Sequence, residues 1–161
     1  MKETERITKL FEDLYDGSPW IDSTLKGTLE PVTAEQAMKK ISLERNSIWE
    51  IVNHIISWRE MVLLRLQEME AAMPDNNFFK PVSDTSETAW RKTLEQLQES
   101  QIEWLSFLNT MDEEDLLKIN PKSNMTYFYH IHGIIQHDAY HLGQIVLLSK
   151  IIQQPPLPTV N

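Results

Sequence analysis

Apolar residues recur at helical spacing along most of the chain. Ile7, Leu10, Phe11 and Leu14 fall on one side of a helix that Gly17-Ser18-Pro19 ends. A second apolar segment runs from Ser47 to about Met69, and Ser47 followed by Glu50 fits a capping box at its start. A third begins near Ser86, takes Ala89, Leu94, Leu97, Ile102, Leu105 and Leu108 as its apolar positions, and stops near Thr110, ahead of the acidic run Asp112 to Asp115. The fourth runs from about Thr126 to Ile152, where Pro155-Pro156 stops it.

Between these segments the pattern breaks. Residues 18 to 46 are less regular and contain Trp20, Pro31 and one helical turn near Thr33 to Gln36. Pro74 with Asn76-Asn77, and Asn120 to Asn124, mark the other loops. No run alternates at strand period, and only 4 glycines are present, which disfavours a turn-rich β fold. Four helices with long connections predict an all-α four-helix bundle with a long crossover connection. We expect a single domain over residues 1 to 154 and an extended tail over 155 to 161. The 161 residues are enough to bury a core without staples.

The fourth segment carries the candidate chemistry. At 100° per residue, His137, His141 and Gln144 fall within about 60° of arc. His130 and Leu148 share that stripe, and His132 points nearly opposite. On the second segment His54 shares its stripe with Ser47, Glu50, Trp58, Met61 and Arg65. Both stripes border apolar faces, so they are expected to meet at one end of the core. Three neutral imidazoles from two helices would hold a divalent transition metal and leave positions open for water or substrate. The alternative is that His-x-x-x-His arises by chance on a solvated helix face.

Each neighbour has two readings. Glu50 is either a general base or orienting group one turn from His54, or a capping-box residue. Gln144 either hydrogen-bonds a ligand imidazole or makes a polar core contact. Trp58 is expected in the core rather than as a substrate wall. Asp138 is expected at the surface, with a bond to the histidines as the alternative, and Tyr140 flanks the pair. His130 is placed near the pocket mouth and not among the ligands. The fourth segment also has a second apolar face, Ile131, Ile135, Ala139, Leu142 and Val146, which predicts a homodimer or a covering loop.

Composition narrows the chemistry. No cysteine is present, which excludes thiolate ligands, thiol nucleophiles and disulfides. The pattern His-Glu-x-x-His is absent, and no His has Glu three residues before it, so zincin and ferritin-like di-iron sites are disfavoured. No Gly-rich phosphate loop or serine nucleophile elbow occurs. The net charge of −9, with no basic cluster to offset it, predicts no nucleic-acid contact. No stretch approaches the roughly 20 apolar residues of a membrane span. The charged first residues lack the apolar core of a signal peptide, so a cytoplasmic location is expected.

Two segments together, Ser47-Ile-Trp-Glu-Ile-Val-Asn-His54-Ile-Ile-Ser-Trp58-Arg59 and Gln136-His137-Asp-Ala-Tyr-His141-Leu-Gly-Gln144-Ile145, resemble the DinB-like / YfiT-like metalloenzymes. The order of elements, with Gly17-Ser-Pro-Trp20 after the first helix, extends the resemblance to nearly the whole chain. It implies a four-helix bundle, often dimeric, with a three-histidine metal centre at one end. Carried over, the ligands are His54, His137 and His141, with zinc or nickel typical, manganese or iron as further options, and water completing the shell. Relatives include transferases that use low-molecular-weight thiols and a maleylpyruvate isomerase. Relatives of this subtype often have a histidine where this chain has Ile21, so any role of that residue is missing. The first functional expectation is a mononuclear metal-dependent enzyme with thiol-transferase-like or hydrolase-like chemistry on a small molecule, assisted by Glu50 or Gln144. The second is a non-catalytic metal-binding or stress-response bundle, which needs a closed shell with a fourth ligand such as His130. The third is a helical interaction module without metal.

Overall fold

Side chains placed just before the helices set where most of them begin. A computed structural model describes residues 1–69 and 73–154. The expected extended tail over 155–161 lies outside the described residues. Helix α1 spans Glu3–Tyr15, α2 Leu25–Leu29, α3 Ala34–Met38, α4 Ile48–Leu66, α5 Glu87–Thr110 and α6 Tyr127–Gln153. Thr24, Thr33, Ser47, Ser86 and Thr126 cap α2 to α6, each hydroxyl accepting from a backbone N–H inside the first turn. After α1 the chain must turn without a Cβ, because one at Gly17 would sit 2.8 Å from the Asp13 Cα.

Helix α1 packs on α5 and α6, and α4 packs on the same two. The direction of α4 relative to its neighbours follows from side-chain pairings. Trp49 bonds Thr93 and Arg59 bonds Ser100, so α4 and α5 run the same way. Two sequential parallel helices require a return crossing, and the segment between Leu66 and Glu87 supplies it. His54 and Trp58 meet His141 and His137 respectively, so α6 runs antiparallel to α4.

Several sequence expectations need correction in detail. Helix α4 ends at Leu66 rather than Met69, because Glu68 takes a left-handed backbone with φ 58°. The short α2 was not foreseen; five residues are too few for periodicity to register. Helix α5 buries Trp90 and Trp104 and leaves Ile102 58% exposed, so its inward face is rotated from the leucine-based pattern. On α6 the second apolar face is covered in part by the chain itself. Ile131 and Leu142 are both fully buried in the core.

The core is two apolar clusters. One gathers Ile48, Ile55, Trp90, Leu97 and Leu142, the other Phe11, Val62, Trp104, Leu108 and Ile134. Between them lies a polar layer in which Arg59 of α4 meets Asp138 of α6 and Ser100 of α5. No helix among the described residues is long and apolar enough to cross a membrane.

Candidate metal centre

Three histidines converge where α4, α6 and the crossover segment meet. His54 is presented by α4 two turns after its capped start, and His137 and His141 by successive turns of α6. One ring nitrogen from each lies within 4.8 Å of the other two. His54 Nε2 and His137 Nε2 are 3.0 Å apart. His54 and His141 are buried and His137 is half-buried.

Partners on the far side of two rings fix which nitrogen faces the cluster. His54 Nδ1 lies 2.7 Å from the Asn77 carbonyl oxygen. A carbonyl can only accept, so Nδ1 carries the proton and Nε2 presents a lone pair. His141 Nδ1 likewise donates to Gln144 Oε1 at 2.7 Å, and Gln144 Nε2 donates onward to the Tyr140 hydroxyl at 3.1 Å. His137 Nδ1 is buried and has no hydrogen-bond partner. The donor set is therefore three imidazoles, two with the tautomer that points a lone pair inward. Three ring nitrogens within 4.8 Å of one another, two of them presenting lone pairs, fit a divalent transition ion.

The crossover closes one side. Phe79 stacks on His54 with ring centroids 3.9 Å apart. Trp58 donates its indole N–H to Asn77 Oδ1 and packs edge-on against Phe78. Asn77 and Phe78 both hold left-handed backbone, φ 51° and 63°. Asparagine tolerates this and phenylalanine does not, so the turn that aims the Asn77 carbonyl at His54 stores strain of about 1–3 kcal/mol. On the open side a cleft of about 570 Å³ is lined by the three histidines, Trp58, Tyr140, Gln144 and Leu147 among others.

The remaining candidates fall as follows. Glu50 completes the capping box, with Oε2 accepting from the Ser47 N–H, and its Oε1 pairs with Lys40 at 2.8 Å. Burial works to raise its pKa, but Lys40 and Ser47 outweigh that and hold it below the ordinary carboxylate range. Glu50 does not line the cleft. His130 lies two turns before His137 and bonds the Ser123 hydroxyl at 2.7 Å, outside the cluster. Trp58 is half-buried: it packs against the second apolar cluster, as expected from its type, and also forms a cleft wall. Asp138 is fully buried, contrary to the surface placement expected for it, because Arg59 Nε donates to its Oδ2 at 2.7 Å. Arg59, Asn77 and Phe79 were not singled out in the sequence. A charged residue inside an apolar helical run was the available signal for Arg59.

His54 and His141 take up a proton less readily than a free imidazole. His54 is pushed down from the ordinary 6.5 to about 4, by burial first, against the pull of the Asn77 carbonyl, with His141 and His137 adding to the depression. Burial also lowers His141, opposed by the bond to Gln144. A base that binds its proton less readily when folded destabilises the fold in acid. Between about pH 4 and 6.5 the unfolded chain holds more protons, so stability rises with pH across that window and is fully present above it. We expect the metal-free protein to lose up to about 1.4 kcal/mol per pH unit for the His54 ring as pH falls through it. Urea midpoints of chelator-treated protein check this; a midpoint that stays level or climbs on acidification contradicts it.

A family model described as the DinB superfamily matches residues 22–145 of the chain, a span that includes all three histidines. No curated protein and no solved structure matches it.

Proposed function

This chain belongs to the DinB superfamily, and on that footing we propose that it is a mononuclear metal-dependent enzyme acting on a small molecule by thiol transfer or hydrolysis. The observation that carries the reading is the convergence of three imidazoles on one point beside an open cleft. Family membership and this cluster together fit a metal-binding protein. His54, His137 and His141 would hold the ion, with zinc or nickel expected and manganese or iron as further options. When bound, such an ion supplies Lewis acidity, which favours deprotonation of a thiol or a water and polarises a carbonyl.

The chain's own residues support that chemistry in separate ways. Asn77 and Gln144 orient His54 and His141. Phe79 and Trp58 keep water from one side of the cluster. The cleft size suits a small molecule such as a low-molecular-weight thiol. Both Glu50 oxygens are engaged at the helix cap, so we give proton transfer no role there and keep Gln144 as the assisting residue. A non-catalytic site would need a closed shell. His130, the residue considered for a fourth ligand, is bonded to Ser123 instead, and the cleft stays open. This favours the enzyme reading.

The test is reconstitution of metal-depleted protein with zinc or nickel, followed by assays of thiol-transfer and hydrolytic substrate panels. The reading expects turnover that requires the ion and disappears in His141→Ala. Stoichiometric metal without turnover on any panel would favour the storage or sensing role. A cytoplasmic location and a homodimer are part of the same proposal. On the second apolar face of α6, Ile135, Ala139 and Val146 are only half-buried, and these support the dimer. Sedimentation of a monomer at micromolar concentration would remove it.

A further inference from the structure

Two of the three histidines have a visible partner on Nδ1, and His137 does not. Its Nδ1 is buried and unpaired. Two other buried, unpaired polar atoms sit in the same layer: Asp138 Oδ1 and Arg59 Nη2. Unpaired buried polar atoms are uncommon and call for a cause. Here two of them face each other, with His137 Nδ1 and Asp138 Oδ1 3.5 Å apart. That is longer than a hydrogen bond, and a rotation of the imidazole would close it; the competing acceptor is the His54 Nε2 lone pair, 3.0 Å from His137 Nε2, and a carboxylate is the stronger acceptor of the two.

The carboxylate is held in place independently of the histidine. Arg59 Nε donates to Asp138 Oδ2 at 2.7 Å, and Arg59 Nη1 reaches Ser100 Oγ at 3.3 Å. Arg59 and Asp138 are both fully buried, so neither can swing out to solvent. The guanidinium thus anchors one carboxylate oxygen to α4 and α5 and leaves the other directed at the ring on α6.

We propose that Asp138, fixed by Arg59, is a positioning residue of the three-histidine centre: its Oδ1 accepts from His137 Nδ1–H and so turns the His137 Nε2 lone pair into the cluster. All three rings then have the same tautomer, set by three different acceptors: a backbone carbonyl, an amide and a carboxylate. The carboxylate is the strongest acceptor of the three. The assignment rests on the metal-centre reading for its purpose but not for its geometry.

The test separates the two. In metal-free wild-type protein, long-range proton–nitrogen NMR of the imidazoles reads each tautomer directly. The proposal expects His137 protonated on Nδ1. In Asp138→Asn the amide oxygen stays on Arg59 and the amide nitrogen faces the ring, where donor meets donor. His137 then moves its proton to Nε2, and zinc affinity falls about 10–100-fold. A purely structural role for Asp138 would alter stability without moving the proton. A wild-type His137 protonated on Nε2 overturns the proposal, whatever the variant does. A folded Asp138→Asn that keeps both the Nδ1 tautomer and zinc affinity within about threefold of wild type, well inside the range such partners control, overturns it as well. Wild-type protein that has the expected tautomer but binds no zinc would refute the metal reading and leave the Asp138–His137 contact standing.

Discussion

His137→Ala abolishes stoichiometric metal binding while the helices persist. The side chain is 22% exposed and reaches the cluster from the middle of α6, so its loss removes little core volume. Its neighbours are the rings of His54, His141 and Trp58, at centroid distances of 4.9, 4.4 and 5.7 Å. Each of these keeps its other contacts. The metal-free fold also sheds the close approach of two imidazole nitrogens, so its stability should change little. Metal affinity should change greatly. Partners that only orient a ligand are worth about 10–100-fold, and removal of the ligand itself should exceed about 100-fold. Titration against a competing chelator measures the affinity, and circular dichroism checks the helices. A folded variant that holds metal as tightly as wild type would remove His137 from the centre.

Arg59→Ala should produce the largest loss of stability of any single charge removal in this protein. The change strands the Asp138 carboxylate in the polar layer between two apolar clusters. Removing one partner of a buried ion pair costs about 3–5 kcal/mol. For a chain of this size that corresponds to a fall in Tm on the order of 10 °C. The same substitution at an exposed pair such as Arg91 with Glu87, whose side chains are both 51% exposed, should cost far less. The contrast isolates burial as the cause. Replacing both Arg59 and Asp138 with apolar residues of similar size should recover much of the stability, because no charge is then left unpaired. It should not restore the His137 tautomer. Thermal unfolding of the variants at neutral pH gives the ordering. An Arg59→Ala protein within about 1 kcal/mol of wild type would mean that water reaches the pair.

The helices were legible because their apolar spacing and caps agree. Ser47, Ser86 and Thr126 mark starts that the structure places to the residue. The stripe argument also brought His54, His137 and His141 to one place, since helix phase alone determines which side chains share a face. What it could not supply was anything contributed by the crossover. Asn77 and Phe79 reach His54 through a left-handed turn that has no periodic signature, and Phe78 adopts it against its own preference. The polar layer was hidden for a different reason. Asp138 is inward-facing on α6, and a carboxylate at such a position is read as solvated until a buried cation is found opposite it. Arg59 is that cation, and it lies 79 residues away in sequence. The partial covering of Ile131 and Leu142 was equally invisible, because a second apolar face looks the same whether the chain itself or a partner fills it.

Elemental analysis tests the central claim most directly. Wild type and His141→Ala should be purified side by side, without a nickel column or a chelator, and then exposed to zinc, nickel and manganese in turn. A three-histidine centre predicts close to one ion per chain in the wild type and almost none in the variant. Wild-type protein that takes up no ion from any of these solutions, while remaining helical, would contradict the account and leave the histidines as a buried polar cluster.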